Sequence, residues 1–195
     1  MTGLGAALMD EFVLHPDAKD LLAAWYEARG DGALPSKGFI DPIRLRRWIG
    51  DISVVHLKEG EKRFYIALHG DKVARHLGPD FNKKYLEDVI PDSAKDDAFA
   101  PYDLSIETKL PCYSIQRRTF DNRLVDTLER MVMPCTNEDP ARTTRFLIWV
   151  APIRPSIVND TSVYTSPDEE PAEYARGEPA DRTAVLFTLP EPSGR

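Results

Sequence analysis

The sequence predicts an α+β fold: a five-stranded antiparallel sheet covered by short helices on one face, an N-terminal helical extension and a proline-rich C-terminal tail. Three observations predict it. Asp51–Gly70 holds two β-prone apolar runs on either side of Lys58-Glu59-Gly60-Glu61, the pattern of an antiparallel hairpin. Residues 71–109 then carry helix start and stop signals in place of alternation. Cys112–Phe120, Arg123–Thr136 and Thr143–Ile153 follow as three strand-like runs separated by Asp121-Asn122 and Asn137-Glu138-Asp139-Pro140, an antiparallel meander.

Pro16 suits a first helical turn, Asp17 and Asp20 suit the positive end of a helix dipole, and Gly30 is a natural stop. Between them Leu21, Leu22, Trp25 and Tyr26 form one apolar face. After a Gly/Pro loop, Asp41-Pro42 opens a second short helix, with Ile43, Leu45, Trp48 and Ile49 inward and Arg44, Arg46 and Arg47 outward. In the second hairpin strand, alternation puts Phe64, Ile66 and Leu68 on one face and Tyr65, Ala67 and His69 on the other. Asp71–Leu77 reads as a brief helix, and Tyr85, Leu86 and Val89 anchor the less regular stretch after it. A longer helix runs from Asp92, its expected cap, to about Lys109, with Pro101 as an interruption.

In the fourth strand Glu129 alternates with Met131 and Met133, and this face is expected outward, with the methionines at an interface. Phe146–Val150 is apolar on both faces and therefore central or covered. Six prolines break the stretch after Arg154. Within it Thr183–Leu189 is a β-prone run expected to dock on the domain or on a partner. The expected organisation is an N-terminal segment at 1–15, a domain at 16–153 and a tail at 154–195.

The chain's 195 residues allow one domain with extensions, and 42% hydrophobic with 29% charged residues is ordinary globular composition. A net charge of −7 argues against nucleic acid as a partner. No run is apolar for the length of a membrane span. Met1–Asp10 has no basic residue, so no secretory leader and a cytoplasmic protein are expected. Cys112 and Cys135 read as free thiols. No phosphate loop, nucleophile elbow or metal motif occurs, so no catalytic residue, metal site or cofactor is assigned and an enzyme is not expected. His56 and His69 on the hairpin would need a third metal ligand that the sequence does not supply.

Trp25, Arg29-Gly30, Leu34-Pro35-Ser36 and Asp41-Pro42, followed by the strand pair and by Tyr85-Leu86, resemble the opening of a family of short, stand-alone, mainly alphaproteobacterial PAS-domain proteins. The resemblance covers about residues 20–153. Ile49-Gly50, Asp71 and Asn82-Lys83-Lys84 depart from the family pattern beside the expected pocket. The resemblance implies a PAS-like five-stranded sheet and a sensory or regulatory role in signal transduction, with contacts made in trans. It implies a small apolar ligand between Phe64, Ile66 and Leu68 on the sheet and Leu77, Tyr85, Leu86 and Leu104 on the helices. It also implies a protein partner and a homodimer, with Leu21, Leu22, Trp25, Tyr65 and Ala67 as interface candidates. His76, in the expected pocket region, is taken to face solvent. The alternative is a ligand-free interaction scaffold with a filled core.

Overall fold

A computed structural model describes residues 15–60, 63–77, 80–120, 123–137, 139, 141–152 and 180–189. Helix α1 spans Pro16–Arg29, α2 Asp71–Leu77, α3 Leu86–Val89 and α4 Lys95–Thr108. The strands are β1 Ile52–Leu57, β2 Phe64–His69, β3 Cys112–Phe120, β4 Arg123–Cys135, β5 Arg145–Pro152 and β6 Ala180–Thr188. Five of them form an antiparallel sheet in the order β2-β1-β5-β4-β3, the α+β arrangement that the sequence predicts, and β6 adds outside β3.

The sheet is covered on both faces, because the N-terminal extension is itself a layer. On one face Leu21, Leu22 and Trp25 of α1, with Leu34, Phe39, Leu45 and Trp48, pack on Ile52, Val54, Tyr113, Met131, Met133, Leu147 and Trp149. On the other, Val73 of α2 and Tyr102 of α4 pack on Val55, Phe64, Ile66, Leu128, Val132, Phe146, Ile148 and Val150. This two-sided cover explains why Phe146–Val150 is apolar at every position: β5 is central and buried from both sides.

Both edges of the five-stranded array carry a neighbour, and β6 becomes the outer strand on its side. On β2, Ile66 exchanges backbone hydrogen bonds with Lys83 and Lys84 at 2.9 Å each. On β3, the Thr183–Leu189 run pairs through β6, and the Tyr26 hydroxyl donates to the Leu189 carbonyl at 2.5 Å. A strand edge left open would be a template for unwanted pairing.

Four expectations are corrected. The segment after Asp41 is a succession of turns, not a helix. Asp41 Oδ1 accepts from Ile43 and Arg44 N–H as a cap would, at 2.8 and 3.1 Å, but the winding then tightens, with Trp48 N–H bonded to the Leu45 carbonyl. Leu45 and Trp48, three residues apart, face inward, while Ile43 and Ile49 are 78% and 46% exposed. Arg47 ties the segment to α1 through Asp17 and Asp20.

Glu129 is buried, not outward, and Met131 and Met133 are wholly buried beneath α1. The reason is the roof over that face, which the alternation of β4 alone does not reveal. Glu129 Oε2 accepts from the Tyr113 hydroxyl at 3.2 Å and from His15 N–H at 3.3 Å.

The third correction lies in the hairpin. Val55 pairs with Ile66 but Val54 pairs with Leu68, so Ala67 is an extra residue and β2 bulges there. A bulge reverses side-chain alternation beyond it. Leu68 therefore sits opposite Val54 on the α1 side, and His69 joins Phe64 and Ile66 on the α4 side. Beyond the bulge Gly70 runs against β1: a Cβ there would lie 2.6 Å from the Ile52 carbonyl oxygen and closer still to that of Gly50.

For α4, a short 3₁₀ turn at Asp92–Ala94 precedes the helix proper, and Asp92 pairs with Lys95 at 2.5 Å instead of capping through its side chain. Pro101 lies within the helix without ending it.

Candidate functional site

The space between the sheet and α4 is where the sequence places a ligand. Phe64 rises into it from β2, Phe146 from β5, and Phe99 and Tyr102 descend from α4, three residues apart and hence on one helix face. Phe64 stacks on Phe99 at 5.2 Å between ring centroids and contacts Tyr102 at 4.8 Å. Tyr102 meets Phe146 edge-on at 5.1 Å. Burial pushes the Tyr102 hydroxyl up to about 12, since a phenolate cannot be solvated there. This part of the interior is packed with aromatic rings.

The expected ligand-binding residues separate accordingly. Phe64 and Ile66 are buried in the ring-lined core, and Leu86 packs against it. Leu68 is carried to the opposite face by the bulge and is 37% exposed. Tyr85 lies beside the sheet edge, its ring 5.3 Å from that of Tyr65, instead of over the pocket. Leu104 is half-buried on α4 and outside the apolar cluster. Leu77 ends α2, and its side chain lies outside the described residues. His76 is half-buried on α2, not fully in solvent.

His69 is the residue that sequence reasoning missed at this site. Its Nδ1 lies 3.0 Å from Ser53 Oγ, and its backbone N–H donates to Asn82 Oδ1 at 2.7 Å. Asp80 Oδ1 accepts from Asn82 N–H at 2.8 Å and steadies that loop. Phe81 packs on the imidazole at 5.5 Å. Nε2 is buried without a hydrogen-bond partner. Burial holds the imidazole below its ordinary pKa, against the opposing field of Asp80. Strict alternation puts His69 on the far face, and no turn residue within Phe64–His69 marks the bulge.

The expected interface set also divides. Leu21, Leu22 and Trp25 are buried in the chain's own core, and Trp25 Nε1–H donates to the Pro134 carbonyl at 2.9 Å. They are not available to a second subunit while α1 stays docked. Tyr65 and Ala67 are half-buried at the surface, beside exposed Leu68. His56 and His69 lie on opposite faces, so they cannot share a metal. Cys112 and Cys135 are buried free thiols, each pushed up to about 12 by burial, which keeps them as unreactive thiols.

A family model described as PAS domain matches residues 13–147, and the chain belongs to that family. The family points to a sensory or regulatory role in signal transduction. No curated protein matches the chain. Among the described residues no helix is long and apolar enough to cross a membrane.

Proposed function

We propose that this protein is a PAS regulatory module that signals in trans through protein contacts, its core being closed by its own side chains. The observation that carries this reading is the Phe64–Phe99–Tyr102–Phe146 ring cluster, which occupies the place where a ligand would otherwise sit. Contacts are assigned to the strip of Tyr65, Ala67 and Leu68 at the bulge, used for homodimerisation or for a protein partner. The module is read as a short, stand-alone bacterial regulator of the alphaproteobacterial kind, working in the cytoplasm without catalysis of its own. The Asp41-Pro42 element followed by the strand pair supports that placement.

Native mass spectrometry of freshly purified protein tests the closed core. The expected result is the bare chain mass, with no thermal shift across a metabolite panel. A co-purifying small molecule would overturn it. One observation favours a second reading, in which a small molecule does enter: the buried, unpartnered Nε2 of His69 would take a hydrogen bond from a ligand. In that case the mass excess vanishes in His69→Phe.

A further inference from the structure

At the end of the sheet where the β1–β2 and β4–β5 turns approach, two adjoining open depressions of about 290 and 570 Å³ share Lys58, Glu59 and Arg142. The larger is bounded by His56, Lys58, Asn137 and Arg145. His56 on β1 and Arg145 on β5 are directly opposite in register. Two of the cations nearby are already matched: Arg142 pairs with Glu59 at 2.5 Å, and Arg63 lies 3.6 Å from Asp103. Among the described residues the other two are not. Arg145 is half-buried, and its Nε–H is buried with no acceptor. Lys58 sits with its ammonium 5.8 Å from the Tyr65 ring centroid and has no carboxylate partner among the described residues. Asn137 Oδ1 is buried in the same wall with no donor. Of the other charged residues in these turns, Asp139 turns its carboxylate onto Ala141 N–H, and Glu61, Lys62 and Glu138 lie outside the described residues.

A half-buried guanidinium with no carboxylate partner among the described residues has lost part of its hydration without an ion pair to offset it. We propose that this depression binds a small oxyanion, a carboxylate or phosphate group carried by a small molecule. The terminal guanidinium N–H groups of Arg145 are the anchoring donors and Lys58 the outer charge. An arginine fork suits either oxyanion, and charge-assisted hydrogen bonds are the strong ones. His56 reports on the site. Burial first, then the fields of Arg145 and Lys58, hold its imidazole below its ordinary pKa. An anion between those cations cancels part of their field and raises it.

The test uses the full chain, with the His56 ring resonance followed by NMR and assigned by its loss in His56→Gln. Sodium succinate and inorganic phosphate are titrated separately against sodium chloride of equal ionic strength. The expected result is a saturable rise in the His56 pKa with succinate, phosphate or both, and the responding arm identifies the source of the oxyanion. Arg145→Gln should weaken the response at least about tenfold, the loss expected of a charge-assisted hydrogen bond. Lys58→Gln, on an exposed side chain, should weaken it less and serves if the Arg145 variant misfolds. Arg44→Gln, on the exposed turn before β1, should leave it unchanged. The proposal is overturned if neither anion moves His56 beyond the chloride control. It is equally overturned if folded Arg145→Gln and Lys58→Gln both titrate like the wild type.

Discussion

Glu129 is held where burial opposes its charge. Burial raises its carboxyl pKa, while the Tyr113 hydroxyl and His15 N–H offset part of that effect. The sign for stability follows. A carboxyl whose pKa is raised on folding favours the fold fully below its unfolded pKa, and that contribution is lost as the pH rises through the folded value. Glu129→Gln removes the charge but keeps an acceptor for both donors. It should raise Tm at neutral pH, with the gain shrinking to nothing as the pH falls through the carboxylate range. Thermal melts across pH check this, and a variant less stable than the wild type at neutral pH would contradict it. The Glu129-Met131-Met133 alternation was legible in the sequence, but its direction was not. Alternation says that residues share a face, and only the α1 roof says that this face is closed.

At the scale of elements, α1 changes its role. Its apolar stripe of Leu21, Leu22, Trp25 and Tyr26 is evident from spacing, and spacing alone is equally consistent with a dimer face and with a core. In the structure the stripe packs on Met131, Met133, Leu147 and Trp149 of the same chain. Leu22→Ala is therefore expected to destabilise by about 2–5 kcal/mol, the range for truncating a buried leucine. Urea unfolding measures this, and a stable variant that merely changes oligomeric state would restore the interface reading. The five strands and α4 were legible because their runs are long and bounded by turns. The hairpin faces were half legible, up to Ile66. Ala67 has nothing in its side chain to distinguish a bulge from a regular position, so the exchange of Leu68 for His69 had no local signal. The Asp41 segment failed as a helix for a similar reason: a capping residue marks a start but not whether the following bonds run three or four residues back.

At the scale of the whole molecule, a sheet roofed on both faces leaves its outer strands, β2 and β6, as its places for association. The strip at the β2 bulge, with Leu68 exposed beside Tyr65 and Ala67, is the apolar part of that surface which the homodimer reading uses. Leu68→Arg should give half the wild-type mass in light scattering with an unchanged far-ultraviolet circular dichroism spectrum, since the residue is outside the core. A wild-type chain that already scatters as a monomer, or a variant of unchanged mass, would remove this strip as the dimer contact. The ligand question was not legible at all. Whether a sheet–helix space is hollow depends on how four rings from three elements meet, and pairwise spacing along the chain carries no such information.

The two-sided core also divides the protein spectroscopically. All three tryptophans, Trp25, Trp48 and Trp149, belong to the α1 layer, whereas the ring cluster beneath α4 is built of phenylalanine and tyrosine. Tryptophan emission therefore watches one face of the sheet only. Release of α1 would redden and quench it at once, while a rearrangement beneath α4 would leave it nearly silent and would show instead in tyrosine absorbance and aromatic circular dichroism. Tryptophan emission is thus a one-sided reporter in the natural chain, whereas tyrosine signals come from both faces, from Tyr26 and Tyr113 on the α1 side and from Tyr102 beneath α4.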